Sequence, residues 1–510
     1  MRTTCVLLIF AALLGAQRPP GPAAAPPEAP AASGPAEKKP PEEKTARTEH
    51  AVRIGGQEIR YTATAGTLHL KKEDGAVTAS IFYIAYTRNG VADLSRRPLT
   101  FSFNGGPGSS SVWLHLGALG PRRVMMTPEG RPTPPPYRLV DNEFSILDAT
   151  DLVFIDPVST GYSRAAREEE ARNFHGAAPD VQSVAEFIRL YTSRNERWAS
   201  PKLLAGESYG TTRAAALSGY LQNSLGMNLN GIMLISSVLN FATLSFDTGN
   251  DLPYVLFLPS YTATAWFHKK LPKELQADRR KALEEAEKFA LGEYNTALMK
   301  GAGLTAQEHA EVARKLARLT GLPERFVELS NLRVPMHAFA KELLRDSRRS
   351  VGRFDSRLLG IDASGATAAP DYDPSYAAVQ GPYTASMNQY VRAELKFESD
   401  LPYEILTGRV RPWSFGEYQN RYMNVAETLR QAMTQNPNLK VYVGNGYYDL
   451  ATPYFATVYT FNHLGLDSSL RGNVSMGYYD AGHMMYVHQE SLAKMKQDLG
   501  GFIAQVARTD

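Results

Sequence analysis

The sequence predicts an α/β fold, with a mostly parallel central sheet flanked by helices and interrupted by a helical insertion. Short apolar runs, PLTFSFNGG, DLVFIDPV, PKLLAGES, GIMLISSV and LKVYVGNG, each end in glycine or polar residues, and several are followed by helix-like stretches. That alternation is the pattern of strands buried on both faces of a parallel sheet. Between about residues 246 and 384 the apolar side chains recur instead at helical spacing. The chain's 510 residues, 43% apolar and 21% charged, can bury a large core and carry too little charge for a disordered polymer.

Residues 1–16 combine a basic start at Arg2, an apolar stretch over 6–14, and the small residues Gly15 and Ala16. This is the layout of a secretory signal, so the protein is expected to be secreted or periplasmic. Residues 17–48 are mostly proline, alanine and charge, a composition that favours an extended tether. No later apolar run approaches the roughly 20 residues of a spanning helix, so no integral membrane segment is expected after signal cleavage. The only cysteine is Cys5, and the fold is expected to stand without disulfides.

The first part of the core, 49–245, opens with EIRYTATAG and ASIFYIAYTRNG, which read as antiparallel strands separated by Gly and Asn turns. The insertion is expected over 246–411. There Leu283, Ala286, Ala290 and Tyr294 share one helical face, and Thr305 with Glu308 forms a capping-box pattern. Val312, Leu316 and Leu319 continue as the stripe of that second helix, which Gly321 and Pro323 stop. The core resumes over 412–510. With 55 basic and 52 acidic side chains the net charge is +3, which gives no reason to expect nucleic acid as a partner. Nothing resembles a Gly-rich phosphate loop, an HExxH motif or a cysteine–histidine zinc pattern, and neither a metal nor an organic cofactor is expected.

The sharpest chemical signal is LLAGESYGTTRAAALSGYL, in which Gly206, Glu207, Ser208, Tyr209 and Gly210 lie between an apolar run and an alanine-rich helix. This is a G-x-S-x-G elbow in the strand–turn–helix context of an α/β-hydrolase nucleophile, and it nominates Ser208. Upstream, FSFNGGPGSSS puts Asn104, Gly105 and Gly106 at another strand end. A Gly-Gly loop there can aim backbone N–H groups at a developing oxyanion, with Gly106 and Tyr209 as the candidate donors. A serine needs a histidine to take its proton, and that imidazole needs a carboxylate to orient it. In the chain order of this fold, Asp449 of VYVGNGYYDLATP is the expected acid and His483 of GYYDAGHMMYVHQ the expected base. Asp480 is the rival acid; His463 and His488 are the rival bases.

NGGPGSSS with LGALGP, DLVFIDPVSTGYS, GESYG, GYYDLATP and AGHMMY follow one another as the signature blocks of the serine carboxypeptidase family do. From about Pro98 onward the chain resembles that family, as a bacterial-type member without disulfides. The resemblance implies an α/β-hydrolase fold with a helical cap, and removal of single residues from peptides with a free C-terminus. It implies the triad Ser208, Asp449 and His483. It also implies that Asn104 and Glu207 bind the substrate's terminal carboxylate, Asn104 through its amide and Glu207 when protonated. Three departures stand out. Many members carry a glutamate where this chain has Ala118, a cysteine where it has Ser109, and a FIDPVSTGYS block one residue longer. The same triad could also serve an esterase or acyltransferase, and an inherited pocket could serve a non-catalytic binding protein.

Overall fold

The computed structural model describes residues 42–507, so the expected signal and most of the expected tether lie outside the described residues. Strands β1 (Thr45–Ile54), β2 (Gln57–Lys71) and β3 (Val77–Arg88) form an antiparallel meander. β1 begins inside the range 17–48 that composition assigns to the tether. It pairs in register with β2 from Thr45 opposite Gly66 to Ile54 opposite Gln57. Its first seven side chains are exposed or half-buried, so the segment is held by main-chain hydrogen bonds, and apolar composition carries no trace of it.

The five apolar runs form β4 (Leu99–Phe103), β5 (Asp151–Ile155), β6 (Lys202–Ser208), β7 (Gly231–Ser237) and β8 (Lys440–Gly446), followed by β9 (Val474–Tyr479). The sheet order is β1-β2-β3-β5-β4-β6-β7-β8-β9, and a short strand Arg164–Ala165 on β3 makes it ten-stranded. β3 meets β5 antiparallel; from β5 to β9 all neighbours are parallel. Every residue of β4, β5 and β7 is buried, as expected for strands covered on both faces.

The longer helices are α1 (Ala177–Arg194), α2 (Tyr209–Leu225), α3 (Leu252–Phe267), α4 (Arg279–Phe289), α5 (Ala306–Thr320), α6 (Pro374–Ala393), α7 (Ala426–Gln435), α8 (Tyr454–Asn462) and α9 (Gln489–Val506). Successive strand residues feed opposite faces of the sheet. Leu204 packs in a cluster with Phe187 of α1, Leu217 of α2 and Leu429 of α7. Leu203 packs in another with Met387 of α6 and Phe502 of α9. No described helix is long and apolar enough to cross a membrane.

In the insertion, Thr305 and Glu308 make both bonds of the capping box, and Gly321 closes α5 in the left-handed conformation. Leu256, Ala286 and Leu316 of α3, α4 and α5 share a cluster that takes in Leu450 and Phe455 of the core. Within the insertion that cluster reaches only to Val351. The later part of the range 246–411 behaves differently: Tyr383, Met387 and Tyr390 of α6 join the core cluster, and extended bridges tie Leu406 to Ser109 and Glu404 to Gly161. Helical periodicity marks α6 as amphipathic, but which surface it covers is set by packing.

Candidate active site

The site is built at the carboxyl ends of β4, β6, β8 and β9, where an open parallel sheet leaves room for a ligand. Ser208 joins β6 to α2 with φ 59° and ψ −129°, a conformation costing a non-glycine residue about 1–3 kcal/mol. The surrounding backbone leaves no alternative. A Cβ on Gly206 would collide with the carbonyl oxygen of Gly210, and one on Gly105 with the amide nitrogen of Tyr209. The loop after β4 is therefore pressed directly onto the elbow. Gly106, with φ +102°, follows in that loop, and Tyr209 is the first residue of α2. Of the two expected oxyanion donors, Tyr209 follows the serine directly and Gly106 lines the same cleft.

Asp449 follows β8 and His483 follows β9. Asp449 Oδ1 accepts from the amides of Ala451 at 2.7 Å and Thr452 at 2.9 Å. Its Oδ2 accepts from Thr452 Oγ1 at 2.7 Å and from His483 Nδ1 at 2.8 Å. That last bond fixes the imidazole tautomer and leaves Nε2 as the proton acceptor. Burial would push His483 down, but the charge and hydrogen bond of Asp449, helped by the charge of Glu207, outweigh it and hold the imidazole above its ordinary value. Phe354 stacks on the ring at 5.0 Å and accepts the His483 backbone N–H at 2.5 Å. Gly482 permits this approach, because a Cβ there would collide with the Phe354 carbonyl.

A cleft of about 600 Å³ opens over these groups, lined by Asn104, Gly106, Glu207, Ser208 and His483 among others. Asp449 lies behind His483, fully buried. Among the described residues no hydrogen bond joins Ser208 to His483; such bonds commonly tighten only in a substrate complex.

Asn104 is buried, with its Oδ1 accepting from the Leu114 amide at 3.1 Å and its carbonyl from Arg213 at 2.6 Å. Arg213 is itself held by both oxygens of Asp180. The Asn104 Nδ2 makes no well-formed hydrogen bond, although it lies near enough to Glu207 to favour the ionised carboxylate; a buried donor so placed costs roughly 1–3 kcal/mol until something accepts from it. Glu207 Oε2 accepts from the Tyr486 hydroxyl at 2.6 Å. Burial pushes Glu207 up to about 7, against the opposing pull of His483, the Tyr486 hydroxyl and Asn104. Beside Ala118, Gly117 lies against the Tyr486 ring, so Glu207 is paired with a phenol here. The cleft thus presents a neutral-capable carboxyl and an unpaired amide side by side.

The rival residues lie elsewhere. Asp480 pairs with Arg279 at 2.5 Å, His463 bonds its own helix at Tyr459, and His488 caps α9 and bonds Ser491. Sequence reasoning missed Thr452, Tyr486, Arg213 and Phe354. The first two sit inside the quoted blocks, and a question about who satisfies Asp449 and Glu207 could have raised them. Phe354 comes from the far end of the insertion and has no local signal.

A family model described as serine carboxypeptidase matches residues 56–496. Serine carboxypeptidase-like 34 of Arabidopsis thaliana is 24% identical over 433 residues, 82% of this chain and 78% of the relative. Pheromone-processing carboxypeptidase KEX1 of Coprinopsis cinerea is 31% identical over 161 residues, 31% of this chain, and the match spans only 24% of that relative's length. The crystal structure of Kex1(delta)p, a prohormone-processing carboxypeptidase from Saccharomyces cerevisiae, superposes with a TM-score of 0.56 at 17% identity, covering 87% of this chain and 91% of that one. The two share a fold.

Proposed function

The chain belongs to the serine carboxypeptidase family, and from that premise we propose that it is an exported serine carboxypeptidase releasing single residues from the C-terminus of peptides. Ser208 attacks the scissile carbonyl as His483 Nε2 takes its proton, and Asp449 stabilises the imidazolium that forms. The N–H groups of Gly106 and Tyr209 hold the tetrahedral oxyanion. His483 then gives the proton to the departing amino acid, leaving an acyl-enzyme on Ser208. Water, deprotonated by the same imidazole, attacks the ester and restores the serine.

The observation that carries the exopeptidase reading is the pairing of an unsatisfied Asn104 Nδ2 with a Glu207 carboxyl held up to about 7 in one cleft. Both can donate to a terminal carboxylate. A C-terminal amide or an internal bond offers one carbonyl oxygen where a carboxylate offers two, and leaves a buried donor unpaired.

The test is mass spectrometry of blocked peptides, each as free acid and as C-terminal amide. Stepwise loss of single residues from the acids alone is expected. Ser208→Ala should fold normally and lose at least ~10³-fold in turnover. Equal cleavage of acids and amides would remove the carboxylate site from this reading, and ester hydrolysis with no peptide trimming would replace the reading with an esterase or acyltransferase.

A further inference from the structure

The cleft over Ser208 carries two arginines, Arg353 and Arg411, and its carboxylate inventory is limited to Glu207. Among the described residues neither guanidinium has an ion-pair partner, whereas nearby acids are occupied elsewhere: Asp355 by Arg357 and Glu404 by Arg409. Asp373 takes the backbone amide of Arg353 and caps α6. The Arg353 backbone is fixed in place, and its guanidinium lies over the Phe354 ring. Its carbonyl accepts from Leu450 N, next to the triad acid, and the carbonyl of the following Phe354 accepts from His483 N. Arg353 therefore stands on the wall beside the imidazole. Because His483 hands its proton to the departing amine, that wall faces the residue being released.

Resting on the carboxypeptidase reading above, we propose that the cleft selects peptides whose C-terminal residue has an acidic side chain and disfavours C-terminal Lys and Arg. Arg353 is the specificity-determining residue, and Arg411 adds positive potential from the opposite loop. Both side chains are exposed and Arg353 lies over the Phe354 ring at 5.3 Å, so two cations without a carboxylate partner line the cleft, attracting a side-chain carboxylate and repelling an ammonium.

The experiment measures kcat/KM for N-blocked dipeptides with Phe as the acyl residue and Glu, Gln, Leu or Lys as the released residue, at low and high salt. Glu is expected above its isostere Gln by about two- to five-fold, with Lys below Gln, and the gap should narrow with salt. In Arg353→Gln the Glu-to-Gln ratio should approach one, and in Arg353→Glu the order of Glu and Lys should reverse. Ratios within one variant cancel any general loss of activity. Equal release of Glu and Gln by the wild type, or a ratio unmoved by Arg353→Gln, overturns the specificity while the carboxypeptidase reading stands. Release of none of the four overturns that reading and this inference together.

Discussion

Glu207 is the side chain whose charge state governs the most. It is buried beside His483 and capped by the Tyr486 hydroxyl, and the role proposed for it, donation to a substrate carboxylate, requires its proton. As pH rises through about 7 the proton leaves, so KM for peptide acids should climb above neutrality while ester kcat/KM does not. Glu207→Gln keeps a donor without a titration, and should flatten that rise. The same variant tests stability. The folded carboxyl holds its proton up to about 7, whereas the unfolded one releases it near its ordinary value of 4.5, so Glu207 removes stability progressively between those two pH values. Glu207→Gln should therefore raise Tm at pH 8 more than at pH 4, read by calorimetry. An equal change at both would mean the buried carboxyl titrates as it does in the unfolded chain.

Strand ends and the turns that leave them place this chemistry. The loop after β4 rests on the elbow because Gly105 has no side chain to hold it off the Tyr209 amide. Gly105→Ala should push Gly106 out of line with Tyr209 and lower kcat by about 10²- to 10³-fold, with KM for esters nearly unchanged; a wild-type kcat would remove Gly106 from oxyanion binding. Much of this level was legible in the residues. The five apolar runs form strands, and Thr305 and Glu308 cap α5 in the way their spacing predicts. β1 was not legible at its start, since its outer residues are held by main-chain bonds to β2. Nor was the surface that α6 covers, since an amphipathic helix shows that it buries a face and not which neighbour receives it.

Across the protein, the insertion and the core share one apolar cluster. Leu256 and Leu316 of the insertion pack with Leu450 and Phe455, residues just past the triad acid. Leu256→Ala should cost about 2–5 kcal/mol and lower Tm and the temperature of activity loss together. Two separated thermal transitions, with activity following only the second, would make the insertion an independent unit.

The α/β class and the nucleophile elbow could be read from the chain because each depends on neighbours within a few positions. A strained turn needs its flanking glycines, and a strand end needs the loop that follows it. The partner of Glu207 could not be read that way. Tyr486 lies 279 residues away, and Ala118, where the family often has a glutamate, gave no hint of a phenol. Phe354 and Arg353 reach His483 from the insertion, although no local pattern joins them to it. Such contacts depend on which faces the folded layers bring together, and burial then gives them their energy by removing water from the groups that meet.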